Sequence, residues 1–146
     1  MDLASNKRAW HDFKILESFE AGLVLTGPEV KSAKAGQVSL KGSYVSMKNG
    51  EVFLIHANIS QYKAAASLTY DPMRPRKLLL RKSEIRRMVG ILSQSGLTIL
   101  PISLYTKGQL VKIGIGVATK KNKFDKRQTM KKREAEREIQ RRLKDR

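Results

Sequence analysis

Lysine and arginine crowd three stretches of this chain, and the chemistry they offer is the neutralisation of phosphate. Near the start, Asn6-Lys7-Arg8-Ala9-Trp10-His11 sets two cations beside an indole and an imidazole, a grouping able to bind phosphate and stack on a base or sugar. The plainer alternative is a solvated terminus with Trp10 tucked against the body. Further on, Arg74-Pro75-Arg76-Lys77 carries cations on a proline-stiffened segment leading into Leu78-Leu79-Leu80, suited to a phosphate backbone or, more simply, a solvated basic loop. From Lys120 to Arg146 the chain holds thirteen of its thirty lysines and arginines against five acids, a net +8 out of a total of +17.

A surplus of this size draws polyanions by releasing their condensed counterions, so log affinity falls with log salt by roughly 0.7 to 0.9 per phosphate neutralised. The last stretch has no core of its own, and it needs an anionic partner or stays solvated and mobile when free. An acidic membrane would attract it too, but a docking helix needs a continuous face of large apolar groups. Only Phe124, Met130, Ile139 and Leu143 are available. Composition therefore points to nucleic acid.

Catalytic readings find little support in the sequence. There is no cysteine, which removes disulfides, thiolate chemistry and the usual zinc sites. His11 and His56 lack ligand spacing, and His56 within VFLIHANI reads as a satisfied barrel residue. Glu17 with Glu20 or Glu29 could be paired as carboxylates, yet nothing indicates the cleft that such chemistry needs. No phosphate-loop, GxSxG or dinucleotide motif occurs, so no enzyme activity, metal or cofactor is expected. No apolar run reaches signal-peptide or membrane-spanning length, and a soluble, cytoplasmic protein is expected.

The elements that must position these groups are read from periodicity and punctuation. FKILESFEAGLVL reads as a strand interrupted by a bulge or bend at Ala21-Gly22. In TGPEVKSAKAG, Thr26 or Gly27 can cap a short helix, with Pro28 in its first turn, Glu29 at its positive end and Gly36 as terminator. Asn49-Gly50 between SYVSM and VFLIHANI predicts a type I′ hairpin. QYKAAASLTYDPMRPR reads as a loop, followed by a short strand over 77–80. Ile85, Met88, Val89 and Leu92 form the stripe of an amphipathic helix over 83–95, and Val111, Ile113, Ile115 and Val117 alternate on one strand face after a turn at Lys107-Gly108. The expected fold is mainly β with helices (α+β): an OB-type, six-stranded antiparallel barrel with two or three helices over 1–118, then a basic C-terminal tail over 119–146.

Blocks spread along the chain carry a resemblance. NKRAWHDF, FEAGLVLTGPEVKSAKAG, GSYV, NGEVFL, HANI, DPMRPRKLLL, ISLY and FDKR, in this order and spacing, resemble small protein B, the SsrA-binding family that works with transfer-messenger RNA. Beyond Arg127 only charge and helical tendency are similar. The resemblance implies an OB-type barrel that binds the tRNA-like domain of transfer-messenger RNA and enters stalled bacterial ribosomes with it. It also implies contact with small-subunit rRNA, and indirect partnership with elongation factor Tu and alanyl-tRNA synthetase through the RNA. The tail would become helical on the ribosome and sense the empty mRNA channel and the decoding centre.

Carried over by motif, the implied RNA-binding residues are Asn6, Lys7, Arg8, Glu20, Arg76, Lys77 and Leu80. Those implied for the decoding centre and mRNA channel are Lys121, Lys123, Phe124, Asp125, Lys126 and Arg127. The junction departs from the family pattern at Lys120, where a glycine is usual, and at Asn122, where a lysine is usual. Two other readings remain: a generic OB-type ribosomal or translation-factor protein, and an RNA-processing enzyme.

Overall fold

The computed structural model describes residues 2–63 and 69–121, together with Arg133, Glu134, Ala135, Arg137 and Ile139. Among them the elements run β1 (Asp2–Ser5), α1 (Lys7–Asp12), β2 (Phe13–Leu23), α2 (Gly27–Lys34), β3 (Val38–Ser39), β4 (Tyr44–Lys48), β5 (Glu51–Ile55), β6 (Asn58–Ile59), β7 (Arg76–Leu79), α3 (Lys82–Leu92), β8 (Leu97–Lys107) and β9 (Leu110–Lys120). Seven strands make one antiparallel sheet in the order β1-β8-β9-β2-β7-β5-β4, and β3 pairs with β6 in a second. The mainly β expectation stands; the strand count is nine among the described residues, against the six expected.

The long strands build the frame. Alternation in β9 sends Val111, Ile113, Ile115 and Val117 inward, where all are buried with Ile99 and Leu104 of β8 and Val52 and Leu54 of β5. On the opposite face Gly116 lets Ile102 and Ile15 close over the strand, since a Cβ there would lie 2.8 Å from Ile102 Cδ1. Helix α3 adds Met88 and Ile91 to the core, but Val89 of the expected stripe points outward and is 52% exposed. The inner face is centred on Met88 and Ile91, with Ile85 and Leu92 partly buried beside them, so Val89 falls to its outer side.

Local punctuation worked as expected at two sites. Asn49 (φ 53°) and Gly50 (φ 76°) both take the left-handed region that a type I′ turn requires, joining β4 to β5 with Lys48 opposite Glu51. Thr26 caps α2: its Oγ accepts from Glu29 N at 3.3 Å while Glu29 Oε1 accepts from Thr26 N at 3.0 Å. Elsewhere the outcome differs. The bulge in β2 falls between Ile15 and Glu17, where the register against β9 shifts, and not at Ala21-Gly22, which stay in register.

The N-terminus is structured. Strand β1 adds to the edge of β8, and α1 buries Ala9 against Leu100 and Ala118 in a small second cluster with Phe13 and Ile15. At the other end of the sheet-forming segment, β9 continues two residues past the expected boundary at 118. The tail expected over 119–146 falls mostly outside the described residues; Arg133, Glu134, Ala135, Arg137 and Ile139 are helical and exposed.

Candidate nucleic-acid interface

The side chain of Asn6 fixes the start of helix α1 to the sheet. Pro101 interrupts β8 because it has no N–H, and the pairing with β9 shifts between Pro101 and Ser103. The carbonyl left at Pro101 accepts from Asn6 Nδ2 at 2.9 Å, and Asn6 N donates to Ile102 O at 2.8 Å. Asn6 is 7% exposed, so it reaches no ligand broadly; it aims the next two residues. Lys7 and Arg8 are exposed beside a groove of about 440 Å³ whose far wall is Val38 to Lys41. Trp10 is 47% exposed, intermediate between the tucked and the free ring.

The second basic stretch is built differently from its expected role. Arg76 is fully buried, and its guanidinium donates from Nε (2.9 Å) and Nη2 (2.7 Å) to Glu29 Oε2 and from Nη1 to Ala57 O at 2.8 Å. Arg74 grips the same carboxylate, with Nε on Oε2 at 3.1 Å and Nη2 on Oε1. Tyr70 completes the group, its hydroxyl donating to Ile59 O at 2.7 Å and accepting from Arg76 at 3.2 Å. Burial alone would raise the Glu29 pKa, but the two arginines and the Thr26 amide overcome it and bring it down to about 2. Arg76 is therefore a structural cation, already neutralised, and offers no charge to a phosphate. In sequence it looked like its neighbour Lys77, yet β7 alternation turns one inward and the other out.

Lys77 is exposed and pairs loosely with Glu51 across the strands, Nζ to Oε1 3.3 Å. Leu80 is partly buried against the core, whereas Leu79 stands 54% exposed, so the apolar group presented outward by this block is Leu79. Glu20 lies exposed on β2, two strands from β8. There Tyr105 donates to Oε2 at 2.5 Å and Lys107 Nζ donates to Oε1 at 3.2 Å. The Tyr105 hydrogen bond, then that of Lys107, hold the Glu20 carboxyl below its usual range. Tyr105 moves the opposite way, to about 12, through burial first and the Glu20 carboxylate second. Each carboxylate oxygen keeps acceptor capacity toward solvent.

Of the residues expected to meet the ribosome, Lys121 is described: its N donates to Asp12 O and its Nζ to Trp10 O, both at 2.9 Å, which ties the end of β9 to α1. Lys123, Phe124, Asp125, Lys126 and Arg127 lie outside the described residues. Among the described residues no group of three or more His, Asp or Glu could hold a metal ion, and no helix is long and apolar enough to cross a membrane.

A family model described as SmpB protein matches residues 3–145. The chain belongs to the SmpB protein family. Among relatives of this family, the SsrA-binding protein of Rubrobacter xylanophilus is 50% identical over 145 residues, covering 99% of this chain and 97% of its own. That of Halothermothrix orenii is 49% identical over 144 residues, covering 99% and 93%. A solved chain described as "tmRNA-SmpB: a journey to the center of the bacterial ribosome" superposes with a TM-score of 0.68 at 42% identity, over 82% of this chain and 84% of that one. Within the SmpB-like blocks, NKRAWHDF makes α1 and its anchor, FEAG carries the Glu20 cluster, and EVKS and DPMRPR meet in the buried ion group around Glu29.

Several contributors were not legible as site residues. Lys41 joins the groove beside Arg8 only because the turn after β3 folds over α1. Tyr105 and Lys107 reach Glu20 across two strand pairings, from more than eighty residues away. A cross-strand contact of that separation leaves no local signal in one sequence.

Proposed function

We propose that this protein is an RNA-binding adaptor of trans-translation. It binds the tRNA-like domain of transfer-messenger RNA, delivers that RNA to stalled bacterial ribosomes, and works in the cytoplasm by binding and not by catalysis. The observation that carries this reading is the match to SsrA-binding proteins over nearly the whole chain at about half identity, with a ribosomal tmRNA–SmpB chain as structural neighbour. An OB-type barrel is the form we infer for the body, a reading supported by the contact of β4, at one end of the large sheet, with β8, next to its other end.

A division of labour follows. The folded body grips the RNA by shape, with exposed Lys7, Arg8 and Lys77 neutralising phosphates and Glu20 accepting from base amino groups or ribose hydroxyls. Asn6 sets the direction of the α1 cations, and Leu79 supplies the outward apolar contact of its block. The tail, including Lys121, Lys123, Phe124, Asp125, Lys126 and Arg127, occupies the decoding centre and the vacant mRNA channel. An empty channel then stands in for codon pairing, and elongation factor Tu and alanyl-tRNA synthetase act through the RNA.

The test uses full-length protein and a truncation after Lys121, which keeps β9 and its tie to α1. Both bind labelled transfer-messenger RNA, with a preference over an unrelated tRNA that survives high salt, because selectivity at high salt cannot come from diffuse charge. Only the full-length form supports alanine transfer on ribosomes stalled without a codon. Loss of RNA binding on truncation, or RNA turnover by the purified protein, would overturn the scheme.

A further inference from the structure

A second groove opens beside the first. It has a volume of about 250 Å³, shares Asn6 and Arg8 with its neighbour, and is bounded on the far side by Ser43 and Tyr44 and at its base by Leu100. Tyr44 opens β4, the terminal strand of the large sheet, and is 42% exposed. Its ring lies 5.5 Å from that of His56 at an angle of 45°. His56 itself is exposed and sits at φ 63°, a conformation that costs a side-chain-bearing residue free energy. The expectation that His56 is a satisfied barrel residue therefore does not hold. Its backbone strain breaks the VFLIHANI segment into β5 and β6 and turns the imidazole out, against Tyr44.

Resting on the RNA-binding reading above, we propose that the paired grooves take one unpaired nucleotide of the RNA: its base packs on the Tyr44 ring, beside which His56 lies, and its phosphate lies between Arg8 and Lys41. An aromatic ring that is half exposed and packed at a tilt beside an imidazole offers area for stacking. Arg8 lines both grooves, so a single nucleotide can bridge aromatic and cationic groups. A duplex could not enter, since its bases stack on one another and show no face to a side chain.

The tRNA-like domain RNA is synthesised with 2-aminopurine at each of its unpaired positions in turn, and full-length protein is titrated at several salt concentrations. One position changes its fluorescence on binding to wild-type protein, and Tyr44→Ala abolishes that change. Tyr44→Ala weakens affinity by about 5- to 150-fold, the range for removing one base–aromatic stack, at unchanged salt slope. Tyr44→Phe binds like wild type. Lys41→Ala and Arg8→Ala each flatten the slope of log affinity against log salt by about 0.7 to 0.9. His56→Gly accepts the left-handed backbone, so it keeps the melting temperature while losing affinity. Wild-type affinity in Tyr44→Ala, or a probe response that persists in it at every position, would overturn the proposal. A wild-type protein that held an unrelated tRNA equally well would instead sink the functional reading, and the comparison of Tyr44 variants on one RNA would still decide the groove.

Discussion

Replacing Glu29 by Gln removes the one anion that neutralises Arg76. The guanidinium is fully buried, and beside Ala57 O and the Tyr70 hydroxyl it would meet at best a neutral amide oxygen in place of a carboxylate. Breaking a buried ion pair from one side costs about 3 to 5 kcal/mol because a charge is left without compensation. The proton linkage of the same contacts gives a figure of the same order. Holding the Glu29 carboxyl at about 2 in place of 4.5 corresponds to about 3 kcal/mol of stability at neutral pH. Against a total of about 5 to 15 kcal/mol this is a large share, and at about 4 °C per kcal/mol for a domain of this size the melting temperature drops by about 12 to 20 °C. The sign of the pH dependence follows from the depressed pKa. The contribution is complete above pH 4.5, where the unfolded chain is also ionised, and drains away as pH falls toward 2. Urea melts across that interval therefore show wild-type stability falling more steeply than that of Glu29→Gln. The double variant Glu29→Gln with Arg76→Met recovers most of the loss, since an apolar side chain needs no counter-charge. A single variant within about 0.5 kcal/mol of wild type, or a double variant no better than the single, would refute the buried charge as the cause.

Three further outcomes are expected. Glu20→Ala weakens binding of the tRNA-like domain although it makes the protein more cationic; unchanged or tighter binding in a mobility-shift titration would count against a reading role for that carboxylate. In ring-labelled protein, the Tyr105 phenol ionises near pH 12, and Glu20→Ala lowers that value while leaving it above 10, because burial is the larger cause; a fall to the free tyrosine value would reverse that order. Asn6→Ala leaves the Pro101 carbonyl without its donor and costs about 1 to 3 kcal/mol by chemical melts, with RNA affinity falling as α1 loosens.

Local signals in the sequence were strong where the physics is local. Asn49-Gly50 needs only its own two φ angles to make the hairpin, and Thr26 with Glu29 needs only a three-residue reach to cap α2. Alternation in β9 likewise reports which face is buried, since side chains on a strand point to opposite sides in turn. Strand β1 and helix α1 were not legible for the opposite reason: six residues are too few for a period, and their stability comes from Asn6 meeting Pro101 ninety-five positions away.

What the sequence determined by itself was a cationic, mainly β chain with the motif order of the SmpB family, because charge, alternation and turn chemistry are properties of neighbours along the chain. Only the tertiary structure decided which cations are available. Arg76 and Lys77 are adjacent and chemically alike, yet one is sealed against Glu29 and the other faces water; Leu79 and Leu80 divide in the same way. Tyr44 and Arg8, thirty-six positions apart, come to share one groove. Exposure and long-range pairing depend on how the sheet curls and what packs behind each strand, and no window of residues read in isolation contains that information.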